Sequence, residues 1–211
     1  MILFEHTKIY GWDAAIRGMR NPMNSWDRSD TVFGNDGSLV NSQGIGENDY
    51  NLMKRLADAG QVHGKYLRMI TVTTDITAPL YWWKEFDTYK VGTVSNSCST
   101  MHKIAEKEFT LNDFSHEHLE EPSINLLKKT VKMLNIWRNE YTIHGGKFKN
   151  DWWQMIQLLP SSYNQRRTIQ LNYAVLKNIY PYRKDHKLDE WRDFCDWIKR
   201  LPYSELITRE L

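Results

Sequence analysis

Cysteine is scarce: Cys98 and Cys195 are the only two in 211 residues, and their spacing forms no metal-binding or redox motif. Both read as free thiols, which fits a reducing, cytoplasmic setting. Long apolar runs are missing as well. None approaches the ~20 residues that span a bilayer. The opening MILFEHTKIYGWD lacks the basic start and long apolar stretch of an export signal. Neither sign of charge dominates: the net charge of +2 points to no nucleic-acid partner. Also absent are glycine-rich phosphate loops of either common pattern, internal repeats, low-complexity tracts and interdomain linkers.

What is abundant is aromatic. Nine Trp and eleven Tyr include the doublets Trp82-Trp83 and Trp152-Trp153, which favour extensive interior or subunit contacts. With 41% hydrophobic and 26% charged residues, the chain has the composition of a soluble globular protein of one domain. WDAAIRGMR (12–20) reads as a short helix, and 21–46, rich in Gly, Asn, Asp and Ser, as a long loop. ENDYNLMKRLADAG (47–60) is helical, with Leu52 and Leu56 at i, i+4 and a terminating Gly60. YLRMITVTTDI (66–76) is rich in β-branched residues and predicts a strand; APLYWWKEF (78–86) predicts a helix with Pro79 near its first turn.

The clearest helix is 123–141, capped by Ser123, with Leu127, Val131, Leu134 and Trp137 near one stripe. Further helices are expected over 150–159, 164–180 and 187–201, the last two separated by YPYRKDHK. The fold class is therefore mixed α+β: one helix-rich domain with a small sheet.

Chemistry is thinner. SHEHLEE sets His116 and His118 two apart beside acidic residues, but i, i+2 side chains diverge on a helix and no further ligand cluster follows, so a solvated loop is the better reading. Cys98 has no evident base beside it and reads as a bystander thiol in a hydroxyl-rich turn, EFDTYKVGTVSNSCSTMHK (85–103).

Read as a unit, residues 63–103 resemble the central block of the flavin-dependent thymidylate synthases. His63 meets that family's leading histidine, and Ala78-Pro79-Leu80-Tyr81 meet its Ala-Pro step. Thr88-Tyr89-Lys90 fall on its Arg-His-Arg signature and Val91-Gly92-Thr93 on the following small-residue turn. AAIRGMR (14–20), with Arg17 and Arg20, resembles the N-terminal helix of the family. QLLPSSYNQ (157–165) resembles its Leu-Pro turn. NYAVLKNIYPYR (172–183) keeps Asn172, Leu176, Asn178 and Arg183 of an Asn-x-Arg-x-Leu-x-Asn segment.

The resemblance implies the fold of that family and its chemistry: homotetramers with sites between subunits, binding FAD, a pyrimidine deoxynucleotide, a folate methylene donor and NADPH. It implies a catalytic Arg183 that polarises the uracil ring. His63, Lys90, Asn172 and Asn178 fall to the flavin, and Glu85, Ser97, Cys98, Ser99 and Arg183 to the substrate. The departures are specific. Thr88 and Tyr89 replace an arginine and a histidine, Arg68-Met69 a Glu-His pair, Ile156 and Ala174 two arginines, and Cys98 and Thr100 a serine and an arginine. A one-residue shift puts Ser97 on that serine instead. Each lost charge-assisted bond is worth roughly 1.5–3 kcal/mol, so the usual ligands should bind more weakly. The alternative implied by these departures is a non-catalytic protein that binds or sequesters a nucleotide on the same fold.

Overall fold

A computed structural model describes residues 1–40 and 44–209. In chain order it contains β1 (Leu3–Tyr10), α1 (Trp12–Arg20), α2 (Glu47–Asp58), β2 (Thr71–Pro79), α3 (Leu80–Phe86), β3 (Val94–Ser97) and α4 (Thr100–Lys103). It continues with α5 (Glu121–Ile143), α6 (Lys149–Leu158), β4 (Asn164–Asn172), α7 (Tyr173–Arg183), α8 (Asp189–Lys199) and α9 (Glu205–Thr208). The strands form a four-stranded sheet in the order β1-β2-β4-β3, so the architecture is mixed helix and sheet as expected. Among the described residues no helix is long and apolar enough to cross a membrane.

The chain divides into two compact units. The first comprises Met1–Leu3, Ile76–Thr88 and Asn96–Arg167; the second comprises Phe4–Asp75, Tyr89–Ser95 and Thr168–Leu211. In the first, α5 packs on α6, and Phe109, Phe114, Leu127, Val131, Leu134 and Met155 form one buried cluster. The α3 doublet is interior: Trp82, Trp83 and Phe86 are all buried, and Trp83 Nε1 donates to the Gln165 carbonyl at 2.9 Å. The Arg167 guanidinium lies 4.2 Å over the Trp83 ring, held there by bonds to Gln165 Oε1 (2.9 Å) and Asp87 Oδ1 (2.8 Å).

In the second unit α7 packs against α8, α9 and a 3₁₀ turn, Gly64–Arg68. Trp12, Ile16, Met53, Tyr173, Leu176, Ile179, Trp191 and Phe194 are buried there. Two buried hydroxyls reach backbone carbonyls: Tyr66 to Met53 at 2.7 Å and Tyr173 to Pro202 at 2.6 Å. Each satisfies a polar tip that would otherwise be stranded in the core.

Several boundaries differ from the sequence expectation. The strand expected over 66–76 begins only at Thr71, because Tyr66 and Leu67 are buried within the 3₁₀ turn. The helix expected over 164–180 is β4 followed by α7. Gln165, Ile169 and Leu171 are buried with a period of two, which is a strand signal. The helix expected over 78–86 begins at Leu80, because Ala78 and Pro79 end β2; Pro79 is the N-cap, next to the first turn as expected. Ser123 lies inside α5, whose N-cap is Glu120. Arg183 closes α7 instead of lying between helices. Of the expected loop 21–46, residues 41–43 lie outside the described residues; the rest carries short 3₁₀ turns at Asn21–Met23 and Trp26–Arg28 and a Phe33–Leu39 bridge.

Candidate functional site

Arg183 is half-buried at the C-terminal end of α7, where a cation complements the helix dipole. Its Nε donates to the Tyr89 hydroxyl at 2.8 Å, and its guanidinium lies 4.3 Å over the Trp191 ring of α8. The bond to Tyr89 and the flat face of Trp191 hold the plane of the group, which makes it a preorganised donor rather than a swinging surface charge. Tyr89 itself meets Trp191 edge-on, with centroids 6.0 Å apart.

Asn172 caps the other end of α7: its Oδ1 accepts from Val175 N at 3.0 Å. The turn that follows Lys90 comes against this cap. Gly92 has φ +77, and a β-carbon there would stand 3.1 Å from Val175 Cγ2 and 3.2 Å from Asn172 Nδ2. Only a residue without a side chain takes that conformation so close to the helix end. The structure therefore brings Tyr89 to Arg183, and the turn of Lys90 to Asn172, within the second unit. Lys90, His63 and Asn178 are exposed; His63 precedes the Gly64–Arg68 turn and Asn178 lies in mid-α7.

The other expected substrate residues, Glu85, Ser97, Cys98 and Ser99, belong to the first unit. Ser97 ends β3, and Ser99 caps α4 by accepting from His102 N at 3.1 Å. Cys98 is an exposed free thiol, and both its backbone groups are tied to β4: N–H to Arg166 O at 2.9 Å, and C=O from Gln165 Nε2 at 2.8 Å. Glu85 is half-buried in α3, and its carbonyl accepts both Thr88 N (3.1 Å) and Thr88 Oγ1 (2.7 Å). Thr88 thus closes its own turn. Cys98 and Ser99 line a cavity of about 590 Å³ together with Lys103, Lys107, Tyr163 and Arg166. Lys103 pairs with Glu106 at 2.8 Å and Lys107 with Asp113 at 2.5 Å, so these charges are largely balanced inside the wall.

Sequence reasoning missed Trp191, which reads there as an ordinary core residue of an amphipathic helix, and took Tyr89 only as a lost histidine. The charge-rich PYRKDHK stretch was the available signal for the first. It places Arg183 eight residues before Trp191, a distance that a turn between helices can close.

The sequence matches no family model and no curated protein. Solved structures do match. Flavin-dependent thymidylate synthase ThyX from Helicobacter pylori, complexed with FAD and dUMP, superposes with a TM-score of 0.69 at 20% identity, over 99% of this chain and 97% of that one. A second structure of the H. pylori enzyme with FAD and dUMP gives 0.69 at 17% identity, over 99% and 96%. The UMP/dUMP methylase PolB from Streptomyces cacaoi, bound with 5-Br dUMP, gives 0.61 at 13%, over 99% and 95%. The chain has the fold of the flavin-dependent thymidylate synthases.

Proposed function

We propose that the protein binds a pyrimidine deoxynucleotide and transfers a one-carbon unit to its base, with Arg183 as the residue that polarises the ring. The observation that carries this reading is the fixed guanidinium of Arg183, between Tyr89 and Trp191, in a fold whose solved representatives hold dUMP or 5-Br dUMP. A guanidinium donates to a ring carbonyl and stabilises the negative charge that develops when the ring is attacked. Fixing its plane in advance lowers the reorganisation needed at that moment.

The residues fit FAD in outline. The exposed Lys90 offers a cation for a diphosphate, and the left-handed Gly92 lets that turn lie against the Asn172 amide, whose Oδ1 alone is used by the cap. When bound, FAD supplies hydride chemistry; folate as methylene donor and NADPH as reductant belong to the same reading. His63 and Asn178, both exposed, would add polar contacts to the flavin, and Glu85, Ser97, Cys98 and Ser99 would contact the nucleotide. The assembly that goes with this reading is a homo-oligomer, and the setting is the cytoplasm.

A second reading, binding without catalysis, is favoured by one specific feature. Neither residue that stands on the first two signature positions brings a charge: Thr88 Oγ1 bonds to Glu85 O, and the Tyr89 hydroxyl accepts from Arg183. Two measurements separate the readings. A ligand present at 100 times its Kd stabilises the native state by about 2.7 kcal/mol, which for a chain of this size raises Tm by roughly 5–10 °C. dUMP should produce such a shift in the wild type and not in Arg183→Ala. Flavin absorbance in the fresh protein supports the enzyme, and a nucleotide released on denaturation without flavin supports the binder. No shift with any pyrimidine deoxynucleotide would refute the enzyme, and the absence of any nucleotide among the molecules released on denaturation would refute the binder.

A further inference from the structure

The hydrogen bond between Arg183 and Tyr89 leaves a proton unused. A guanidinium nitrogen only donates, so at 2.8 Å the Tyr89 hydroxyl must accept from Arg183 Nε. That occupies a lone pair and leaves the phenolic O–H itself to donate. Among the described residues the hydroxyl has no second hydrogen-bond partner. A freely moving surface tyrosine would turn such a donor to water. Tyr89 does not move freely: it is half-buried, and its ring meets Trp191 at a centroid distance of 6.0 Å and an interplanar angle of 72°. Trp191 is itself buried in α8 and carries the Arg183 guanidinium over its ring at 4.3 Å. One indole therefore holds both groups, and the donor is in place before any ligand arrives.

The cation beside it also changes what the hydroxyl can do. Accepting from a guanidinium draws electron density from the phenolic oxygen and strengthens its O–H as a donor, as bonds in a chain polarise one another. The result is a neutral donor next to a cationic one, with 2.8 Å between Oη and Nε. An acceptor oxygen in contact with the guanidinium is near enough to meet both. A ring carbonyl suits such a pair: it is neutral at first and gains negative charge only when the ring is attacked. Building on the ring polarisation assigned to Arg183, we propose that the Tyr89 hydroxyl donates a hydrogen bond directly to the same pyrimidine carbonyl oxygen. The two residues then form a two-donor oxyanion site. No proton is transferred; the bond tightens as charge develops on the oxygen. Tyr89 has two roles, acceptor from Arg183 and donor to the ligand, and only the second selects a base that offers a carbonyl there.

Fluorine on the phenol separates these roles by sign. Tyr89→3-fluorotyrosine, introduced site-specifically in the full chain, makes the hydroxyl a stronger donor and a weaker acceptor. The affinity for dUMP is read by calorimetric titration at equal protein concentrations, in mildly acidic buffer where both phenols keep their protons. Donation to the ring predicts binding about two- to threefold tighter than wild type. A role limited to holding Arg183 predicts weaker or unchanged binding, and either result would overturn the proposal. The gain should vanish as pH rises through the titration of the fluorophenol, because a phenolate has no proton to give; a gain that persisted beyond it would count against the contact. Tyr89→Phe removes both roles and should bind dUMP roughly tenfold more weakly or worse; wild-type affinity in that variant would also overturn the proposal. A wild type that binds no dUMP would bring down the ring polarisation by Arg183 and this contact with it. Binding that responds to fluorine with the wrong sign would bring down the contact alone.

Discussion

Asp49 anchors a buried polar network in the second unit. This carboxylate on α2 is fully buried, and it accepts five hydrogen bonds. Oδ1 takes Arg20 Nε at 2.6 Å; Oδ2 takes Ser29 Oγ (2.8 Å), Asp30 N (3.1 Å), Thr31 N (3.0 Å) and Thr31 Oγ1 (2.7 Å). Arg20, at the end of α1 and itself 4% exposed, sends its other nitrogens to the carbonyls of Ser25 (3.1 Å) and Arg28 (3.0 Å). One buried ion pair thus ties residues 25–31 to two helices. In Asp49→Asn the amide can keep an oxygen toward Ser29 and Thr31 only by turning its NH2 toward Arg20. That leaves a buried guanidinium without its counter-charge, a change that typically costs about 3–5 kcal/mol. For a chain of this size the Tm should fall by roughly 6–20 °C. Replacing both partners, Arg20→Met with Asp49→Leu, removes the charges together and should cost far less than either single change. The assay is urea unfolding followed by tryptophan fluorescence, with limited proteolysis around 25–31 reporting on the loop. An Asp49→Asn protein within about 1 kcal/mol of the wild type would refute the reasoning, since that is the range of an ordinary surface pair. pH gives a second handle. Burial pushes the Asp49 carboxyl upward, but the bonds from Thr31, Ser29 and Arg20 and the Arg20 charge together hold it below its ordinary 3.8. Its contribution is complete above that value and is lost as pH falls through the lower folded value, so Asp49→Asn should flatten the acid limb of the stability curve.

Gly92→Ala places a side chain at φ +77 and within 3.2 Å of α7, and should destabilise by about 1–2 kcal/mol in chemical denaturation; the same change at Gly60, where a β-carbon meets nothing within 4 Å, should cost only the backbone strain. Thiol titration should find one fast group, the exposed Cys98, in the native protein and two after unfolding, because burial removes Cys195 from solvent and pushes its thiol up to about 12. Tyr89→Phe removes the acceptor of Arg183 Nε, a bond to a charged group worth roughly 1.5–3 kcal/mol. It should weaken nucleotide binding while α7 stays folded, as read by the dUMP shift against the far-ultraviolet spectrum.

How much of the fold was legible depended on which signal dominated each segment. The helices at 12–20 and 47–58 show clear caps or breakers and were readable to within two residues. Strand β4 was not, because NQRRTIQLN carries two arginines and two glutamines where strands usually carry β-branched residues. Its period-two burial is legible only once Arg167 is known to lie flat on Trp83. Strands β1 and β3 went unseen for a related reason. Each lies at an edge of the sheet, β3 is exposed along its whole length, and an edge strand needs no continuous apolar face. The loop over 21–40 looked structureless because the residues that order it, Arg20 and Asp49, stand in the flanking helices and show no local periodicity.

The candidate site was legible in a different way, through register rather than chemistry. Composition marked Arg183 as one more charge in PYRKDHK; alignment to a family motif singled it out; its partners could come from neither. Tyr89 lies 94 residues before Arg183 in sequence and Trp191 eight beyond it, and nothing in the one-dimensional pattern says that the two rings and the guanidinium converge. That convergence changes the meaning of the substitution at Tyr89. Counted as a missing histidine, it weakens the case for ligand binding. Seen as the acceptor that orients Arg183, it is a replacement that keeps the arginine in place without adding a charge. Held by both an edge and a face, the guanidinium keeps the preorganisation that nucleotide binding would require. Under the proposed reading, the restraint keeps Arg183 ready for a nucleotide, and the neutral Thr88 and Tyr89 suit one with less negative charge beside them.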